Sequence, residues 1–349
     1  MRSQNIVEFG SPLQALETVT PEPQGTQVLL RVHHCGVCHS DVHIQDGHFD
    51  LGGGKKLALA NIKLPHVMGH EIEGEVVALG PDARGVNIGD RRAAFPWIGC
   101  GECGICARGD EHLCARPRQL GVSSETPGGF ATHVLVPHPR YLIDYSGASA
   151  TLGATSMCSG LTAYSALRKA GTPGPADPVV VLGCGGVGMM GIQFAQAMFG
   201  RGPIAADVDA RRLEAALAAG ASAAVDTTQP DAGKKFLKET GGAWTVVDFV
   251  GSESSFAFAN QVVRKGGRVV VVGLFGGAMS MPLPMFPLRA ISIGGSYVGT
   301  LAEANEMMAL IRAGQVAPIP YQFRPLDDAS RSLDDLRAGR VVGRIVLQP

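Results

Sequence analysis

Four of the eight cysteines stand in the run GCGECGICARGDEHLC as Cys100, Cys103, Cys106 and Cys114, a C-x2-C-x2-C-x7-C spacing. Four thiolates so close in sequence can surround one tetrahedral zinc ion with no position open to solvent, the composition of a structural site. Iron-sulfur ligation is the rival chemistry for such a run, and disulfides are disfavoured in a reducing compartment. Upstream, HHCGVCHSDVH supplies Cys35, Cys38, His39, Ser40, Asp41 and His43, and GHE supplies His70 and Glu71. A thiolate and an imidazole 32 residues apart form no local knuckle, so a metal on Cys38 and His70 needs a distant third ligand, for which Cys158 in SMCSGLTAY is the available thiol. Three protein ligands and an open fourth position make up a catalytic zinc site. The run from Cys35 to His39 also has the C-x-x-C-H spacing of haem attachment, and C-x-x-C that of a redox pair. Both explain only five residues. Cys35 itself reads as a small buried hydrophobe.

The third chemical signal is Gly183-Cys184-Gly185-Gly186-Val187-Gly188, a G-x-G-x-x-G directly after the apolar run Val179 to Leu182. Gly183 permits a tight turn, Gly185 lets the backbone approach a pyrophosphate, and Gly188 lets a helix pack close to its strand. The N-terminus of that helix offers N–H groups to the phosphates. Asp207 follows Gly188 by 19 residues and ends a second short strand. Its carboxylate can accept from both ribose hydroxyls and would repel a 2'-phosphate, so NAD is expected over NADP. Arg211 and Arg212 are the counter-signal, since either could reach a phosphate; at a helix start they read equally as solvated cations.

These residues need elements to hold them. From Val28 to about Tyr141, short apolar runs such as Val28 to Val32 and Glu75 to Leu79 alternate with Gly, Pro and Asp, which predicts a mostly β first domain. From Pro178 the rhythm is strand, Gly break, amphipathic helix. The predicted strands are 179–182, 204–206, 245–250 and 268–272, and the predicted helices 187–199, 211–219 and 253–263. Strands alternating with helices imply crossovers and a doubly wound parallel sheet. A helical stretch, 302–312, and a strand-like 344–347 suggest that the tail returns to the first domain. The expected division is residues 1–150 with 298–349 for the first domain and 151–297 for the second.

With 45% apolar residues the 349-residue chain can bury a core in each of about two domains. Its 30 basic and 31 acidic residues nearly cancel, leaving no electrostatic footprint for nucleic acid or anionic lipid. The uncharged stretches 145–167, 178–200 and 269–288 are diluted by Ser, Thr, Gly and Pro and read as buried segments rather than membrane spans. Met1 to Gly10 carries Glu8 and no apolar run, so a cytoplasmic location is expected.

Taken in order, GVCHSDVH, GHE, the four-cysteine lobe, Cys158, VVVLGCGGVG and VVGRIVLQP make the chain resemble the zinc-dependent medium-chain alcohol dehydrogenases over nearly its whole length. The resemblance implies a GroES-like catalytic domain, a Rossmann domain, two zinc ions, NAD, a small alcohol or carbonyl substrate and a homodimer or homotetramer. It implies that Cys38, His70 and Cys158 hold the catalytic zinc, with Glu71 a close neighbour during ligand exchange and Asp41 orienting His70. Ser40 and His43 match the two ends of a proton relay. His39, Arg212 and Arg344 match cofactor contacts, the first and last at the pyrophosphate, and Trp97 matches a wall of the substrate pocket. Cofactor and substrate are expected to meet between the domains. Two departures stand out: a longer stretch from Asp50 to Leu64 beside the expected pocket, and His39 where some members have Arg. A zinc-free quinone or enone reductase and a nucleotide-sensing binding protein are the competing functions; neither calls for every zinc ligand and a relay.

Overall fold

The computed structural model describes residues 1–59 and 62–349. The chain forms two compact units. The first gathers Met1–His48, Ala58–Leu161 and Gly299–Pro349. Its main sheet runs in the order Leu142–Ile143, Arg91–Ala94, Glu71–Leu79, Val28–Val37, Arg344–Gln348 and Tyr321–Pro325, with His133–Val136 also paired to Val28–Val37. The two long central strands exceed the expected apolar runs. Glu71–Leu79 begins with Glu71 and Glu73, acidic residues with no exposure whose partners come from elsewhere in the chain. Arg344–Gln348 lies antiparallel to Val28–Val37, which brings the C-terminal strand beside the Cys38 segment.

The helix Ala150–Thr155 packs on the strands of this sheet, so residues 151–161 belong to the first unit and not, as expected, to the second. Conversely, Phe49–Leu57 belongs to the second unit, where Asp50 lies against Gly276. The Asp50 to Leu64 stretch is therefore divided, residues 50–57 in the second unit and its other described residues in the first, and residues 60 and 61 lie outside the described residues.

The second unit, completed by Thr162–Val298, is a six-stranded sheet in which every pairing is parallel. Its order is Ala223–Asp226, Ile204–Asp207, Val179–Leu182, Ala243–Asp248, Val263–Val271 and Ser292–Gly295, the 3-2-1-4-5-6 arrangement of a doubly wound dinucleotide fold. Val180, Leu182, Val246 and Val269 pack with Phe236, Phe258 and Val262 of the covering helices. The two outer strands were not predicted. Ala-Ala-Val-Asp and Ser-Ile-Gly-Gly carry little β propensity and are drawn into the sheet by its hydrogen-bond ladder. Among the described residues no helix is long and apolar enough to cross a membrane.

Candidate active site

Cys38 is the N-cap of the helix His39–Asp46, where the strand Val28–Val37 ends. Its backbone N–H donates to Asp41 Oδ2 at 2.9 Å, so the first turn of the helix fixes Cys38 and Asp41 together. Asp41 Oδ1 lies 3.2 Å from His70 Nδ1, and neither side chain has any exposure. The other ring nitrogen, His70 Nε2, makes no hydrogen bond with any described residue. Cys158 enters on a π-turn, Ser156–Gly160, between the α-helices Ala150–Thr155 and Leu161–Lys169. Such turns widen the helix by one residue and recur at functional sites.

Cys38 Sγ and Cys158 Sγ are 3.9 Å apart, and the ligand atoms of Cys38, His70 and Cys158 lie within 4.8 Å of one another. A tetrahedron of 2.3 Å zinc–sulfur bonds has edges of about 3.8 Å. Spacing, burial and an orphaned imidazole nitrogen therefore fit a zinc ion with three protein ligands. The hydrogen bond from the Cys158 thiol holds the Cys38 thiol well below its ordinary range, and donating that bond raises Cys158. Burial alone would lower His70, but the facing Asp41 carboxylate and Cys38 thiolate raise it well above the ordinary imidazole value.

Glu71, also without exposure, is pushed up to about 7 by burial, against the pull of Arg344. Its Oε1 accepts from Ser159 N–H at 3.1 Å, one residue past Cys158, and its Oε2 accepts from the Arg344 guanidinium. Gly36 makes this possible, because a Cβ on the facing strand would overlap Glu71 Oε2. Arg344, expected at the pyrophosphate, is only 4% exposed and spends its guanidinium on Glu71. Neither the π-turn nor the Ser159 contact left any mark in the sequence.

In the first turn of the helix His39–Asp46, Ser40 Oγ lies 3.8 Å from Cys38 Sγ, and His43 follows three residues on. His43 is half-buried, and burial lowers it below the ordinary imidazole value. His39, the first helical residue, is exposed. Trp97 is 2% exposed, which leaves its ring little surface for a substrate.

The four cysteines of the lobe also converge. Cys100 and Cys106 sulfurs are 3.9 Å apart, Cys103 and Cys106 3.5 Å, and Cys103 and Cys114 3.8 Å, close to the edges of the same zinc tetrahedron. Backbone N–H donors pull Cys100 down to about 6, whereas burial raises Cys106 to about 12. Arg116 donates to Cys100 Sγ at 3.6 Å, and Glu111 ties the lobe down by accepting from Gly99 N–H at 3.1 Å and Tyr141 Oη at 2.7 Å.

In the second unit the motif Gly183 to Gly188 joins Val179–Leu182 to the helix Gly186–Phe199, with Gly185 as its N-cap. A Cβ at Gly188 would overlap the Gly183 carbonyl oxygen, while one at Gly185 would meet nothing within 4 Å. The helix thus packs close to its strand, and Gly185 leaves open space in front of the N-terminal amides of Gly186 and Val187. Asp207 is 4% exposed. Its Oδ2 accepts from Cys184 N–H at 2.6 Å, and its Oδ1 from Val208 and Asp209 N–H at 2.7 and 2.9 Å. Arg211 is paired with Asp209 at 2.6 Å and points its charge there, and Arg212 is half-buried. Cys35 and Cys184 are fully buried, as expected of small hydrophobes.

Residues 24–146 match the family model described as the alcohol dehydrogenase GroES-like domain, and residues 186–313 that of the zinc-binding dehydrogenases. A NAD-dependent alcohol dehydrogenase of Sulfurisphaera tokodaii is 38% identical, with both chains covered completely. The crystal structure of an alcohol dehydrogenase from Aeropyrum pernix superposes over the whole of both chains with a TM-score of 0.89 at 28% identity. A cobalt- and zinc-bound alcohol dehydrogenase from Pyrobaculum aerophilum gives 0.84 at 27% identity, covering all of this chain and 99% of the other.

Proposed function

We propose, since the chain belongs to the zinc-dependent medium-chain alcohol dehydrogenases and uses zinc and NAD to oxidise an alcohol, a division of labour among its residues. Cys38, His70 and Cys158 would hold one zinc and Cys100, Cys103, Cys106 and Cys114 another. The observation that carries this reading is the convergence of the first three side chains with His70 Nε2 unpartnered among the described residues. Bound there, zinc supplies a Lewis acid that lowers the pKa of an alcohol oxygen and, in reverse, polarises a carbonyl.

The chain's own groups do the rest. Asp41 faces His70 Nδ1 at 3.2 Å, which leaves Nε2 as the nitrogen to bind the metal. Ser40 Oγ sits beside Cys38, where its hydroxyl can take the alcohol proton while giving its own to His43. His43 is neutral down to below the ordinary imidazole pKa and so stays ready to accept it. Glu71, steered by Arg344 and Ser159, keeps a carboxyl group beside the ligands for use during ligand exchange. The amides at Gly186 and Val187 suit a pyrophosphate. Asp207 Oδ2, which holds one backbone donor, has room for one ribose hydroxyl. Its charge disfavours a 2'-phosphate, and Arg211 is engaged elsewhere.

A second copy of the chain suits the outer strand Ser292–Gly295, whose free edge lies near the exposed Phe275, Leu283 and Leu288 in sequence. A cytoplasmic, reducing compartment suits a chain whose eight cysteines are all unpaired. A panel of aliphatic, benzylic and cyclic alcohols with NAD, followed at the NADH absorbance band, tests the reading. Reduction of NAD by at least one class is expected. A zinc-loaded protein that reduces NAD with none of them overturns it.

A further inference from the structure

Trp97 touches one of the three residues that converge in the first site and the chain neighbour of another. Its indole Nε1 donates to the Met157 carbonyl at 2.9 Å, and Met157 immediately precedes Cys158 in the π-turn. Its ring meets the His70 imidazole edge-on, with centroids 5.4 Å apart and planes at 61°. Trp97, His70 and Cys158 are 2%, 0% and 4% exposed, so both contacts are made away from water and neither side chain can swing out to solvent. Cys158 needs such a brace. It sits in a π-turn, the least common helical geometry, and its carbonyl neighbour accepts a donor from another part of the chain. His70 needs one as well, because its Nδ1 contact to Asp41 is long at 3.2 Å and poorly aligned for a hydrogen bond.

We propose that Trp97 is a positioning residue for the catalytic metal, clamping the Cys158 turn through its N–H and the His70 ring through their edge-on contact. This rests on the reading that Cys38, His70 and Cys158 hold zinc. It adds to the expectation that Trp97 is a wall for the substrate. The two roles separate experimentally, since a wall acts on KM according to substrate size, whereas a clamp acts on metal retention whatever the substrate.

The test uses zinc-loaded wild-type protein, Trp97→Phe and Trp97→Leu. Trp97→Phe keeps an aromatic ring beside His70 and loses only the donor. Trp97→Leu loses both and is the second variant. Zinc release to an excess of chelator is followed in time, and the same proteins are loaded with Co2+ to read the thiolate-to-cobalt absorption of the site. In wild type two zinc ions are expected, released in separate phases. In Trp97→Phe the phase assigned to Cys38, His70 and Cys158 should quicken about tenfold, as loss of a supporting contact does elsewhere. The Cys100 to Cys114 phase should stay unchanged, the cobalt band should shift, and kcat should fall alike for small and large alcohols with KM little altered. Trp97→Leu should show the same pattern more strongly. Unchanged release and an unchanged cobalt band in Trp97→Phe, with KM moving in step with substrate size, overturn the clamp. Wild-type protein that holds zinc only in the four-cysteine lobe overturns the catalytic-site reading itself, an outcome visible before any variant is compared.

Discussion

The two cysteine-based sites make opposite use of the chain. All four sulfurs of the lobe come from residues 100 to 114, two of them half-buried, in a loop whose Leu113 is 53% exposed. Little apolar surface holds that loop closed. The other site takes ligands as far apart as 120 residues, from a helix cap, a strand entrance and a π-turn, none more than 5% exposed. Here the fold holds the ligands: Asp41, Trp97, and Glu71 with Arg344 and Ser159 brace them without a metal. The difference teaches that an ion in the lobe serves the fold, while at the other site the fold serves the ion. Removing a ligand should therefore have opposite consequences.

The largest effect is expected in the lobe. Cys103→Ser should lower the melting temperature by roughly 10 °C or more, several kcal/mol at the usual slope for domains of this size, as metal binding there is folding free energy. Calorimetry on the metal-loaded variant checks it, and an unchanged melting curve would show that the lobe closes without its ion. Next comes the bracing of the buried site. Arg344→Met strands the Glu71 carboxylate in a protein interior and should cost about 3–5 kcal/mol in denaturant unfolding. Glu71→Gln combined with Arg344→Met removes the stranded group and should recover much of that loss. Equal losses in the single and double variants would mean that the two side chains are not coupled.

What could be read in the sequence follows the same contrast. The lobe and the glycine motif are local, so spacing alone reports their ligands and turns, and the parallel sheet shows in its alternating apolar strands and helices. The buried site could be assembled only through resemblance, because nothing in residues 38, 70 and 158 shows that they meet. Its supports were less legible still. Apolar periodicity does not distinguish a π-turn from an α-turn at Cys158, and Glu71 and Glu73 look like surface residues until Arg344, Arg91 and Tyr145 are seen to meet them. The pairing of Arg344 was hidden for the same reason: a lone arginine near the end of a chain gives no sign that a partner lies 273 residues earlier.

Two smaller effects sharpen the account beyond the metal sites. Asp207→Gly should lower kcat/KM for NAD by about tenfold to a hundredfold, the worth of a charge-assisted hydrogen bond of roughly 1.5–3 kcal/mol, and raise use of NADP. An unchanged NAD to NADP ratio would remove Asp207 from the ribose. His43→Gln should leave the fold intact and alter only the pH dependence of oxidation. Because burial sets His43 below the ordinary value, wild-type kcat/KM should fall as pH drops through a point below about 6.5, where the imidazole gains its proton and can accept no other. The variant should be slower and should lack that inflection. A pH–rate curve of the same shape would send the proton by another route.

The most direct measurement takes Cys38→Ser and determines zinc per chain, melting temperature and NADH formation on a single preparation. The expected result is one zinc retained in the four-cysteine lobe, a melting temperature close to that of the parent, and alcohol oxidation reduced by roughly two to three orders of magnitude, the scale on which a lost catalytic group acts. Two zinc ions with activity preserved, or the loss of both ions together with the fold, would contradict it.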